Sequence, residues 1–404
     1  MARLRLSASR FARARAGAQQ LAPWAALAAA AGANTSADAH GFGQRYELPL
    51  PLSLYLLGAM AAVALSFVVF GLFVRGAHGP RACRGRDLLA TSLGRRLARP
   101  ACIWSVRLAG LALFIVTVLA GLVGNQNPYR NIAPTLVWII WWVGLAYMAA
   151  FVGDLWRLIN PWSTVFDVAA QLHRWLGGPD EHAPRLHYPR KLDVWPACLL
   201  LLAFAWIELV DPYAASPRHI ACLAIGYSLL TWAGMLAYGR DTWLQHGEVF
   251  TLVFATFARF APTQARAGAL HLRPFGAGLF EDQPVSTSML AFVLLLLASV
   301  LYDGLIGTGE WALLEAALRP MLPGPAAWAH VALKTVGLPV LWLLFLAAYL
   351  GVSAIMSALA GGRPSTLEIA RHFALTLVPI AIGYHVAHYL VFLLVQGQYI
   401  IPLL

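Results

Sequence analysis

Residues 285–306 read VSTSMLAFVLLLLASVLYDGLI. Apolar side chains fill most of the stretch, and Asp303 is its only charged residue. The run matches the roughly 20 residues a helix needs to cross the hydrocarbon of a bilayer. A helix that is apolar on every side suits lipid or a buried core, not water. The carboxylate near its end is costly in such a place and calls for a partner or a task.

Comparable runs recur at 50–74, 103–124, 133–153, 194–210, 217–238, 331–358 and 373–396. Together they predict an all-α, polytopic transmembrane bundle of about eight spans, forming a single domain over 40–404. Hydrophobic residues make up 60% of the 404 and charged residues only 12%, too few to clothe a soluble protein of this length. The segment 242–260, TWLQHGEVFTLVFATFARF, carries His246, Glu248 and Arg259. It reads as an interfacial or re-entrant helix, with a ninth span as the alternative. The stretch 154–166 also reads as interfacial, with Trp156 and Trp162 at head-group depth. The longest connection, 154–193, reads as a loop with one short helix, and 307–330 as the largest outer loop.

Loop charge sets the expected sidedness. The connections 75–102, 154–193, 239–284 and 359–372 hold seven, five, four and two Lys/Arg, against five in all for the alternate set. That excess places the first set in the cytoplasm and both the mature N-terminus and the C-terminus outside. The formal net charge of +11 is thus a topology signal that meets lipid head groups, and gives no reason to expect nucleic acid. The cysteines Cys83, Cys102, Cys198 and Cys222 form no CxxC pair, so neither a disulfide framework nor a zinc ribbon is expected. No GxSxG, P-loop or dinucleotide fingerprint is present, so a nucleotide partner has no motif support.

The N-terminus reads as a secretory signal over 1–39. Arg3, Arg5, Arg10, Arg13 and Arg15 precede a weakly apolar stretch, and Ala37 and Ala39 supply the small residues of a cleavage site. Cleavage there makes His40 the first residue, offering a metal both its α-amino and ring nitrogens; retained as an anchor, the segment leaves His40 an ordinary loop residue. In the last span His385 and His388 stand three apart, on one side of a helix, where they can co-ligate a metal or bond between packed helices. Glu208 and Asp303 lie near the outer ends of their spans and are the catalytic candidates. Asp303 before Gly304 can also be a helix end, and Asp211 before Pro212 an ordinary turn. His330 is a possible further ligand, and Lys334 can snorkel to the surface. Imidazole with carboxylate suits zinc, manganese or copper. Zinc or manganese fits ester hydrolysis, and copper fits redox chemistry or copper handling.

Three groups of phrases add a resemblance: HGFGQRYELPLPL at 40–52, NPYRNIAPTLVWIIWWVGL with GDLWRLINPW, and ASVLYDGLIGTGEW with YHVAHYLVFLLVQGQYIIPLL. They resemble a bacterial family of multi-pass membrane proteins that carries the name fenitrothion hydrolase, over nearly all of the chain from His40 onward. The resemblance implies a membrane-bound organophosphorus-ester hydrolase that cleaves the bond from phosphorus to an aryloxy group. It brings no catalytic residues with it. It also implies a polar stretch and a span beyond QGQYIIPLL, where this sequence ends at Leu404. Two functions follow as expectations. One is metal-assisted hydrolysis of a lipophilic phosphotriester, for which an apolar pocket in the bundle is apt. The other is a transporter or metal-handling protein that uses the same His and carboxylate cluster for binding.

Overall fold

Apolar runs become helices throughout the computed structural model, which describes residues 87–177, 184–266, 268–280 and 283–403, with Leu57 and Ala61 as isolated positions. The expected signal segment 1–39, His40 and the span 50–74 apart from those two positions lie outside the described residues. The chief helices are α1 (Pro100–Val123), α2 (Ile132–Phe151), α3 (Pro161–Trp175), α4 (Trp195–Leu209), α5 (Pro217–Tyr238) and α6 (Arg240–His246). After them come α7 (Val249–Ala258), α8 (Thr287–Ile306), α9 (Gly309–Leu318), α10 (Ala326–Leu359), α11 (Thr366–Phe373) and α12 (Val378–Gln396).

Local chemistry sets the boundaries. Proline opens α1, α3 and α5 at a position where its missing N–H costs nothing. Ser286 caps α8 by accepting from Met289 N, and Ser365 with Glu368 forms a reciprocal cap on α11. Among the described residues six stretches are long and apolar enough to cross a membrane: α1, α2, α5, α8, α10 and the run Thr366–Leu403 that contains α12. The protein is a multi-pass helical membrane protein.

Three expectations change in detail. The run 194–210 forms a helix of only 15 residues, α4, about 22 Å long and short of a bilayer's roughly 30 Å hydrocarbon. Its end is closed where the amides of Val210 and Asp211 both bond the Trp206 carbonyl, ahead of Pro212. The segment 242–260 breaks at Gly247–Glu248 into α6 and α7. At 10 residues, α7 is about 15 Å long, half the hydrocarbon thickness that a single spanning helix must cross. The 307–330 connection is no plain loop, since it folds into α9. One element was unforeseen: a hairpin of β1 (Thr263–Arg266) and β2 (Ala269–Leu272), paired antiparallel, with Asp87 bridged to His271.

α8 is the axis of the bundle. It packs against α4, α10 and α12, and most of its side chains, from Leu290 to Ile306, are buried. Within a bilayer the surroundings are as apolar as the core, so close packing and polar pairs must hold helices together. Gly121 shows the closeness: a Cβ there would sit 2.5 Å from the Pro217 carbonyl oxygen and 2.6 Å from the Ala221 Cβ, at the α1–α5 contact. Polar ties include Asp167 of α3, which accepts from Arg107 of α1 and from Arg240 of α6.

Hydrogen bonds group the connections into two sets. At one end Asp87 accepts from Leu270 N, Leu186 N donates to the Ala237 carbonyl, and Arg371 Nε donates to the Val285 carbonyl. At the other, Arg218 N donates to Gln126 Oε1 and Trp138 Nε1 to the Ala214 carbonyl. Trp156 and Trp162 depart from expectation. They are 3% and 4% exposed, inside the aromatic core, because their indole N–H groups find partners there, in Glu248 and Ser228 respectively.

Candidate functional site

Four helices bring polar groups to one place in the half of the bundle that carries the 125–132 and 211–216 connections. α2 supplies Trp142 from a π-helical stretch, Thr135–Gly144. Such widened turns are rare and tend to mark functional positions. α4 supplies Glu208 one residue before its end, α8 supplies Asp303, and α12 supplies His385, His388 and Tyr389.

Their hydrogen bonds form a chain. His388 Nε2 lies 2.9 Å from Asp303 Oδ2. The Tyr389 hydroxyl reaches the same Asp303 oxygen at 2.8 Å and Glu208 Oε1 at 3.1 Å, so one phenol spans both carboxylates. Trp142 Nε1 donates to Glu208 Oε1 at 2.8 Å. Asp303 is 2% exposed and lies within α8, so it does not cap the helix end; its side chain points across to α12. Carboxylates this deep are tolerable only with such donors.

The two histidines part company. His388 joins Asp303, whereas His385 turns into a box of rings. The centroids of Tyr389, Tyr147, Phe257 and Trp142 lie 4.7, 5.7, 5.7 and 6.0 Å from its own. His385 Nε2 is buried and makes no hydrogen bond among the described residues. The Tyr147 hydroxyl steadies this turn of α12 by donating to the His385 carbonyl at 3.1 Å. The chain therefore brings Glu208, Asp303 and His388 into one network and sets His385 beside it through Tyr389.

Among the described residues no group of three or more His, Cys, Asp or Glu is placed to hold a metal ion. His388 and Asp303 supply two adjacent donors, and His385 faces aromatic carbon. The described residues alone thus do not make up the expected divalent-metal centre, and His40 lies outside them.

Neighbouring ions extend the network. His330 Nδ1 sits 2.6 Å from Glu315 Oε1, so its partner is Glu315 of α9 and not the central cluster. Lys334 is 6% exposed and does not snorkel outward; it lies within electrostatic reach of both Glu315 and Asp303. Asp211 is a turn, as expected, with Oδ1 accepting from Tyr213 N and Oδ2 lying 2.6 Å from His219 Nε2.

A second buried carboxylate, Glu248, was noticed in the sequence only as a charge in an ambiguous helix. It is fully buried, caps α7, and accepts from Phe250 N, Thr251 N, Thr251 Oγ1, Tyr227 OH, Trp156 Nε1 and Asn160 Nδ2. With both oxygens saturated, its work is structural: it holds the break between α6 and α7. The signal that exposes it is Gly247–Glu248 immediately before an apolar run, a helix start in place of a mid-helix charge.

No family model, curated protein or solved structure matches the chain.

Proposed function

We propose that the protein is an integral-membrane hydrolase of lipophilic organophosphorus triesters, with the Glu208–Tyr389–Asp303–His388 chain as its reacting site. The observation that carries this reading is the pairing of two carboxylates and a histidine through one phenol inside an apolar bundle. The phrase-level resemblance to the fenitrothion hydrolase family supports the same class. The end of the bundle at 125–132 faces outward in this proposal, because Lys and Arg concentrate at the opposite end.

The chemistry needs a base, an acid and a route between them. Glu208 Oε1 is held by Trp142 and Tyr389, which leaves Oε2 to take a proton from water. The water oxygen bonds to phosphorus as the bond to the aryloxy group breaks. His388 in its imidazolium form, oriented by Asp303, gives its proton to the departing oxygen, so a phenol leaves. Tyr389, bonded to both carboxylates, links the protonated Glu208 to the Asp303–His388 pair and allows the proton to return. No step passes through a metal.

A second reading, a carrier or copper-handling protein without hydrolytic activity, has its own support. The buried His385 Nε2 and the string His330, Glu315, Lys334, Asp303 resemble a route for protons or ions toward one face. Turnover separates the two. The purified, detergent-solubilised chain, given an aryl dialkyl phosphorothioate and no gradient, is expected to release the phenol catalytically. Binding without phenol release would leave the carrier reading in place and end the hydrolase.

A further inference from the structure

On one flank of the bundle α1, α3 and α5 pack together, and α2 and α4 face them across a cavity of about 700 Å³. The volume falls in the range of sites that enclose a small organic molecule. Leu113 and Leu230, 52% and 44% exposed, stand at its edge with the exposed Cys222 and Gly226. Only 11% of the spanning window of α1 is buried, so among the described residues the mouth opens on an exposed apolar face.

The lining's polar groups decide what fits. The Thr117 hydroxyl donates to the Leu113 carbonyl, Trp138 Nε1 to the Ala214 carbonyl, and Trp162 Nε1 to Ser228 Oγ. Trp156 Nε1 and the Tyr227 hydroxyl both donate to Glu248. These donors are already engaged within the protein. Trp141 Nε1, also in the lining, is the one indole donor there with no hydrogen bond among the described residues. A water, or the phosphoryl oxygen of a triester, would find at most that donor and leave its other lone pairs unmet against carbon, at a cost of about 1–3 kcal/mol. A hydrocarbon chain carries no such penalty.

We propose that this cleft holds an acyl chain of a bilayer phospholipid, admitted sideways between α1 and α5. The site is separate from the Glu208–His388 chain and does not depend on the hydrolase reading. Within it, a Cβ built on Gly226 meets nothing within 4 Å, so a side chain can start there in open space.

The test uses the full chain in nanodiscs of palmitoyl-oleoyl phosphatidylcholine doped with a phosphatidylcholine bearing a diazirine on one acyl chain. After irradiation, adducts are mapped by peptide mass spectrometry. Lining residues of α1 and α5 are expected to carry adducts in the wild type. Gly226→Trp, and Ala203→Trp from the opposite wall, are expected to lose them severalfold. Leu229→Trp, at a position 62% exposed and outside the lining, is expected to keep them. Melting temperatures near wild type would show that the plugged variants fold. Equal labelling in all four proteins would overturn the proposal. So would efficient bis-maleimide cross-linking of Leu57→Cys to Cys222, which would mean that the chain itself fills the cleft.

Discussion

Tyr389 has one hydroxyl and serves two carboxylates. Replacing it with phenylalanine removes the one phenolic proton that the two carboxylates share, and an unmet buried acceptor costs about 1–3 kcal/mol. The Tyr389→Phe protein is expected to melt lower in detergent by a corresponding amount, and to lose hydrolytic rate beyond what its folded fraction explains. A second residue gives a prediction in pH. Burial raises the Asp154 carboxyl to about 6, against the opposing charge of nearby Arg157. The folded state therefore holds this proton more tightly than the unfolded chain. Stability contributed at Asp154 is greatest at low pH and declines as pH rises from near 4 to 6. A thermal-shift series over that window should show the decline in the wild type and a flatter profile in Asp154→Asn. Glu208, Asp303 and His388 were legible in the sequence because ionisable side chains stand out in apolar runs. Tyr389 and Trp142 were not, since aromatics are common in spans and only the fold reveals which of them faces a carboxylate. The His385–His388 spacing put both residues on one side of α12, but three positions on a helix still differ in azimuth by enough to reach different neighbours.

The elements were more legible than their lengths. Hydropathy located α1, α2, α5, α8, α10 and α12 to within a few residues, because each is a long apolar run with a proline, serine or glycine near its boundary. It overstated α4, whose run of apolar residues continues past the point where the backbone turns toward Pro212. It gave no sign of the hairpin, since TQAR and ALHL are too short to show a period. That hairpin docks on the end of α2 through Thr263, whose hydroxyl donates to the Val152 carbonyl. Gly153 makes the approach possible: its φ is +155° and a Cβ there would lie 2.1 Å from Thr263 Oγ1. Gly153→Ala is expected to destabilise the protein by more than about 1 kcal/mol, and to raise proteolytic cleavage within 263–272 ahead of the transmembrane helices. Wild-type resistance in the mutant would mean that the contact contributes little.

At the scale of the molecule, hydrogen bonds tie the Lys/Arg-rich connections to one another, Asp87 to Leu270 and Arg371 to Val285, and tie Gln126 to Arg218 among the poorly charged ones. The proposed orientation predicts that a cysteine at position 90 reacts with a membrane-impermeant maleimide only after the cells are opened, and one at position 127 before. The central claim is that the Glu208–Tyr389–Asp303–His388 chain performs hydrolysis, and the most direct test is the rate per folded molecule of Glu208→Gln. Glutamine keeps the size and an acceptor for Trp142 and Tyr389 but accepts no proton from water. The account predicts phenol release reduced by about 10²–10⁴-fold in a protein that melts near the wild-type temperature. Wild-type turnover in folded Glu208→Gln would contradict it.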